Sequence, residues 1–432
     1  MSVTPFDSAL YRDLFGDAEL ARLVSDGAEL RAMLLVWGAL ARAQAAQGLI
    51  PETAGAFLHR ATMEVQIDPA GLAAATGRNG VCVPALVEAT RAALEAPEHA
   101  QYLHWGATSQ DIIDTGLALR LRQALARIAE RLDRALDGMA ALAETHAETP
   151  MAARTYGQVA TPTTFGAVAA AWGEGLLAAR EDLPALRRRV EIVTLDGAAG
   201  TLSMMGDAGP AIRAVMADAL GLRDPGRVPH ADRSHVAALS AWLTRLAGAC
   251  GKAATDLLLL ARDGGVTFGA AGASSTMPQK ANPVDASTIR ALAQHVAALN
   301  GSLQSGAMTW DQRDGASWFA EWLALPQLVV ATGKAMGLLA ALDVRVDPAR
   351  LGRALNDPAG LVHAEALQFD LARDMPRPKA QAEIKRLAAI VAAEGGSLVA
   401  AAGRDPADYA PARRWGLAPD VARAFAAKVR DG

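Results

Sequence analysis

The sequence predicts an all-α protein, and three observations carry that reading. Alanine, leucine, arginine and glutamate are abundant, while aromatics make up 5% of the 432 residues, which favours helix over sheet. Apolar residues recur at spacings of three and four over long stretches, the period of a helix with one buried face. The breaks rich in glycine and proline are far apart, so the predicted helices are much longer than the usual mean of about 11–12 residues. Helices of that length need partners along most of their surface. The expected organisation is an N-terminal helical domain (1–103), a central bundle of long antiparallel helices (104–343) interrupted by a loop at 264–283, and a small C-terminal helical domain (344–432).

From Asp17 to Gln47 one apolar stripe runs through Leu20, Leu23, Val24, Leu30, Leu34, Leu35 and Leu40, predicting one long helix. Pro51 opens a shorter one. Gly77-Arg78-Asn79-Gly80 reads as a turn, and Val83-Pro84 leads a helix through Leu86, Val87 and Leu94. His104 to Thr115 is a polar loop feeding a very long helix from about Asp111 to His146. Thr108, Ser109 or Asp111 can cap that helix, and the same groups can hold a carboxylate at its N-terminus. The two readings are compatible.

Arg154 to Gly166 breaks the helices, which resume from Ala167 to Arg188. Leu195 to Thr201 is a turn of small residues. His230 follows a loop holding Pro225, Gly226 and Pro229; it reads equally as a neutral hydrogen-bonding histidine or as one that titrates near neutrality. Val236 to Asp263 is another long helix. After Pro283 the helical pattern returns through Ile289, Leu292, Val296 and Leu299. Trp318, Glu321 and Trp322 share one helical face, where packing by two large aromatics is the simplest expectation. From Val344 the helices shorten and prolines become frequent.

The loop at 264–283 is the least helix-like stretch. Gly264, Gly265, Gly269 and Gly272 permit unusual backbone angles, and Pro278 and Pro283 block a continuous helix. Between them stand the hydroxyls of Ser274 and Ser275, the cation of Lys280 and the amide of Asn282. Small polar groups on such backbone, between long helices, read as a mobile active-site loop on a rigid scaffold.

Charge is nearly balanced, net -4, so neither nucleic acid nor an acidic membrane surface is an expected partner. Two cysteines, Cys82 and Cys250, are too few for a disulfide framework and fit a reducing, cytoplasmic compartment. The N-terminus lacks a basic-apolar signal. No uncharged apolar run of about 18 residues stands out, so no membrane span is expected. No cysteine–histidine cluster has ligand spacing, so no metal is expected.

Ser274-Ser275-Thr276-Met277-Pro278-Gln279-Lys280-Ala281-Asn282-Pro283 closely resembles the signature of the fumarase/aspartase superfamily. The His104–Thr115 block, Arg154-Thr155-Tyr156-Gly157-Gln158, Leu195–Thr201, Gly360–Glu365 and Asp405–Tyr409 resemble further superfamily segments. The resemblance implies three helical regions and a homotetramer with a twenty-helix core, each active site drawing loops from three subunits. It also implies a small polycarboxylate substrate and no cofactor. Tyr156 stands where the adenylosuccinate lyases carry the histidine that protonates a leaving nitrogen. The 3-carboxy-cis,cis-muconate cycloisomerases of the same superfamily generally lack that histidine, and the segment around Trp318–Trp322 is closer to theirs. Gln279 and Ala281 replace the histidine and arginine that cycloisomerases often carry inside the loop, and Pro229 replaces a tryptophan before His230.

The expected reaction is therefore lactonisation of 3-carboxy-cis,cis-muconate to 4-carboxymuconolactone in protocatechuate breakdown. Catalysis would rest on Ser274 as general acid/base, with Lys280 and Asn282 holding the carboxylate that becomes enolate-like. The resemblance assigns substrate contacts to His104, Thr108, Ser109, Gln110, Arg154, Thr155, Gln158, His230, Ser275, Met277 and Arg313. Arg154 and Gln158 are natural carboxylate partners, the arginine through a planar fork. A serine hydroxyl serves as acid or base only where its alkoxide is stabilised, which flanking amides and a nearby lysine can do. The alternatives are an adenylosuccinate or argininosuccinate-like C–N lyase, and a catalytically degenerate helical assembly protein.

Overall fold

The computed structural model describes residues 3–269, 272–273, 277 and 280–431. In chain order its principal elements are α1 (Ala18–Leu23), α2 (Asp26–Ala46), α3 (Glu52–Glu64), α4 (Ala73–Asn79), α5 (Val83–Leu94), α6 (Ser109–Thr145), β1 (Pro150–Thr155), β2 (Gln158–Thr164), α7 (Phe165–Val190), α8 (Gly209–Leu220), α9 (Ser234–Arg262), β3 (Val266–Phe268), β4 (Gly272–Ala273), β5 (Ala281–Asn282), α10 (Val284–Ser305), α11 (Gly315–Ala340), β6 (Val344–Val346), α12 (Ala364–Leu371), α13 (Arg377–Glu394) and α14 (Ala418–Asp431). The fold is all-α. Its described strands form three two-stranded ribbons, β1–β2, β3–β6 and β4–β5.

The chain divides into two compact units. One comprises residues 1–130, 181–247 and 292–334, the other 131–180, 248–291 and 335–432. This partition differs from the three expected regions, which follow the chain. Residues 1–103 fall whole in the first unit and 344–432 whole in the second, and the central stretch contributes to both.

In the first unit, Met33, Val36, Trp37 and Leu40 of α2 join Leu86, Ile112, Leu119, Ile212, Met216 and Trp318 in one apolar core. The long helix expected over Asp17–Gln47 is two helices. The chain leaves helical geometry at Val24 and Ser25, and the Ser25 hydroxyl caps α2 by accepting from Ala28 N. Apolar periodicity survives such a break because the residues on either side still face the same core. α2 and α3 pack closely at glycines: a Cβ on Gly55 would sit 2.3 Å from that of Ala45. The turn expected at Gly77–Gly80 begins later, since α4 runs to Asn79 and Gly80, at φ 72°, caps it in the left-handed region.

In the second unit, α14 lays Phe425 on α7 at Gly173, where a Cβ would meet the ring at 2.0 Å. Trp172 Nε1 donates to Asp256 Oδ2 at 2.8 Å. Arg423, Lys428 and Arg430 of α14 pair with Glu148, Glu174 and Glu144. A second small core gathers Leu367, Ile384, Leu387, Val391, Leu398 and Tyr409.

α11 is long and apolar enough to cross a membrane by composition, with mean hydropathy 1.4 in its most apolar window, although Glu321 and Lys334 interrupt its apolar run. That window is 61% buried inside the protein, as suits a core helix, and the helix also carries buried Glu321.

Candidate active site

The N-terminus of α6 organises the polar centre of the first unit. Asp111 Oδ2 accepts from Thr108 N at 2.9 Å, one arm of a capping box. Its carboxylate also accepts from Asp196 N at 2.9 Å and Gly197 N at 3.1 Å, and His230 Nε2 lies 2.8 Å from Oδ1. The capping reading of this block is thus correct, and the cap also anchors two other segments. His230 is buried and fixed by Asp111. His104, at φ 66°, accepts from Trp37 Nε1 through Nδ1 at 3.0 Å. Burial pulls its pKa down to about 4, so its ring is neutral at pH 7 and keeps a proton on Nε2.

One turn further along α6, Asp114 enters a buried ionic triad. Arg233 Nε and Nη2 donate to the two oxygens of Glu321 at 2.7 and 2.6 Å. Its Nη1 donates to Asp114 Oδ2 at 2.5 Å. Trp318 Nε1 adds a 3.2 Å bond to Asp114 Oδ1. Burial opposes the charge on Arg233, but the two carboxylates more than offset it and raise its pKa. Burial likewise lifts Glu321 above the ordinary carboxylate range. Trp318 and Trp322 pack against each other as expected, with ring centroids 4.8 Å apart, and Glu321 and the Trp318 indole N–H also belong to this polar network.

The triad reaches a predicted substrate residue through Gln110. Its Nε2 donates to His230 O at 3.0 Å and faces Asp114 Oδ2 at 3.4 Å. Its Oε1 is thereby turned to accept from Arg313 Nε at 2.9 Å, while Arg313 Nη2 reaches Ala198 O at 3.2 Å. The structure therefore brings His104, Thr108, Ser109, Gln110, His230 and Arg313 into the first unit, the last five of them around the start of α6. Sequence reasoning assigned no role to Asp114, Asp196 or Arg233. The available signal was Asp111 and Asp114 on an otherwise apolar helix face, since buried charges need partners.

The remaining predicted residues that the structure describes lie in the second unit. Arg154, Thr155 and Gln158 sit at the exposed end of the β1–β2 hairpin, where Thr155 pairs with Gln158. The two residues between them, Tyr156 (φ 51°) and Gly157 (φ 74°), have the paired positive angles of a type I′ turn. Tyr156 is fully exposed. Arg154 makes a 3.4 Å contact with Asp263. The β4–β5 ribbon pairs Gly272 with Asn282 and Ala273 with Ala281, so it closes the base of the signature loop. Lys280 is exposed and its N–H donates to Met277 O at 3.0 Å. Ser274 and Ser275 lie outside the described residues.

Asp111, Asp196 and His230 each offer one ligand atom within 4.8 Å of the others. Asp111 is already committed to the N–H groups named above, and Asp196 Oδ1 to Arg213 Nη1 at 3.0 Å. Asp196 Oδ2 and His230 Nδ1 are buried without a hydrogen-bond partner among the described residues. Burial, followed by the nearby Asp111 charge, raises the Asp196 pKa to about 6.

Residues 14–298 match the lyase family profile. The chain is 37% identical over 407 residues to a 3-carboxy-cis,cis-muconate cycloisomerase of Bradyrhizobium diazoefficiens, covering 90% of each chain. It is 36% identical over 416 residues to a nitrosuccinate lyase of Streptomyces davaonensis, covering 91% of this chain and 86% of that one. The crystal structure of the 3-carboxy-cis,cis-muconate lactonizing enzyme of Pseudomonas putida superposes with a TM-score of 0.89 at 31% identity, covering 98% of this chain and 99% of the other. The chain belongs to the fumarase/aspartase superfamily of lyases, among relatives that include the 3-carboxy-cis,cis-muconate cycloisomerases.

Proposed function

We propose that this protein is a cycloisomerase that lactonises 3-carboxy-cis,cis-muconate. The observation that carries the reading is position 156. A fully exposed phenol occupies the hairpin turn where a C–N lyase of the superfamily needs an imidazole to protonate its leaving nitrogen. Lactonisation has no leaving group. A substrate carboxylate oxygen forms a bond to one end of a conjugated double bond, and the electron pair moves to the carbon alpha to another carboxylate. That carbon then takes one proton. Ser274 donates it and is reprotonated from water. Lys280 and Asn282 stabilise the enolate-like carboxylate, and each such donor contributes about 10²–10³ in rate. Arg154, Gln158 and Arg313 bind the other carboxylates.

The site is completed by assembly, as a homotetramer. The exposed hairpin residues, and Leu259, Phe319 and Leu323 exposed on long helices, are the kind of surface that neighbouring copies cover.

A second reading has its own support. Ala281 removes the loop arginine that cycloisomerases often carry, which lowers the positive charge available to a tricarboxylate, and one relative is named as a nitrosuccinate lyase. The test is loss of diene absorbance with 3-carboxy-cis,cis-muconate, run beside nitrosuccinate and adenylosuccinate. Turnover of the muconate that vanishes in Ser274→Ala is expected. Turnover of only a succinate derivative would overturn the cycloisomerase reading.

A further inference from the structure

A cavity of about 620 Å³ lies within the first unit, inside the range of small-molecule sites. Leu30, Leu72, Ile113, Leu121, Trp322 and Leu325 supply apolar wall. Arg120 of α6 also lines it, with a side chain only 9% exposed. Its one described ion pair runs from Nη2 to Glu29 Oε2 at 3.2 Å, and its Nε is buried without a partner. Burial weighs on the guanidinium more than Glu29 relieves it, and lowers its pKa. A buried arginine offers five N–H donors, and most here have no acceptor among the described residues.

The charge count selects the ligand. Glu29 already balances Arg120, Asp26 adds a negative charge at the same cavity, and Glu321 is committed to Arg233. What is missing is an acceptor, not an anion. Cys82 also lines the cavity, but burial holds its thiol at about 11, so it supplies wall and no nucleophile.

We propose that this cavity binds an uncharged, largely apolar small molecule that places one carbonyl oxygen on Arg120. The proposal is independent of the reaction assigned above, since the ligand carries none of the carboxylates that the catalytic loops recognise.

The test compares two probes of one shape, acetophenone and ethylbenzene, titrated into the full-length protein by ligand-observed NMR. A purely apolar pocket favours ethylbenzene, the more hydrophobic of the two. The proposal expects the opposite order, with acetophenone at least fivefold tighter. Arg120→Met should restore the preference for ethylbenzene. Thr76→Trp, at a half-buried wall position, should abolish binding of both. If Arg120→Met does not fold, the order of the two probes and the Thr76→Trp result decide. Equal or tighter binding of ethylbenzene, acetophenone binding that survives Thr76→Trp, or no binding of either probe would each overturn the proposal.

Discussion

The polar groups of the two units are built in opposite ways. Around the start of α6, Asp111, Asp114, Arg233 and Glu321 are buried, and each makes two or more short contacts inside its own unit. On the β1–β2 hairpin and the loop after β4, Arg154, Gln158 and Lys280 are exposed, and among the described residues Arg154 makes only a 3.4 Å contact with a half-exposed carboxylate. The first arrangement settles its electrostatics on folding. The second leaves donors free for something outside the unit. Arg233 is therefore expected to matter to stability, and Arg154 to binding and rate.

The sharpest way to break that contrast is to exchange the phenotypes. Arg233→Met leaves Asp114 and Glu321 buried without their shared cation, so a loss of about 3–5 kcal/mol is expected in urea unfolding. A loss below about 1 kcal/mol would mean that water reaches the triad. Arg154→Met should leave the urea midpoint unchanged, since an exposed ion pair contributes about 0–1 kcal/mol. It should lower kcat/KM for the turned-over carboxylate substrate about 100-fold, the scale of one lost bidentate contact. If instead it unfolds the protein and spares turnover, the hairpin arginine is structural.

The sequence displayed the second region better than the first. Serine, lysine and asparagine between glycines announce themselves, because such residues have little other use on a loop. Long helices were equally legible from apolar periodicity. What pattern could not reveal was pairing at a distance: Arg233 meets Glu321 across 88 positions and Asp114 across 119, and although Asp114 stands out on an apolar face, nothing local says which cation meets it. The break at Ser25 and the helical state of Gly77–Asn79 were hidden for a related reason. Gly77–Asn79 form the exposed last turn of a helix with no buried residue, so no apolar period marks them, and periodicity alone does not report a one-residue cap at Ser25.

The buried histidines give the comparison a pH axis. Burial lowers His104 from its ordinary 6.5 to about 4, and His235 likewise to about 4. Between those values the unfolded chain binds protons that the folded chain refuses. Their contribution is therefore fully present above pH 6.5 and is lost as pH falls toward 4, at a scale of about 3 kcal/mol each. Asp196 runs the other way. Its folded pKa is raised to about 6, so its contribution is present below pH 3.8 and is lost as pH rises through 6. Unfolding free energy should fall on balance from pH 6.5 to 4.5, and His104→Gln should flatten the slope. An unchanged slope would move the proton uptake to other groups.

The smallest expected effect separates folding from function at one residue. Tyr156 holds φ 51° in a type I′ turn while its ring is fully exposed. A bulky side chain in the left-handed region costs about 1–2 kcal/mol, and no packing among the described residues returns it. Asparagine tolerates that conformation, and Asn-Gly is a preferred type I′ pair. Tyr156→Asn should therefore stabilise the protein by about 1 kcal/mol in urea unfolding. The accompanying rate decides why the tyrosine is there. Unchanged turnover would make it a neutral replacement for a catalytic imidazole that lactonisation does not need. A fall in turnover with the gain in stability would make the strained phenol part of the substrate contact or of the subunit contact beside it.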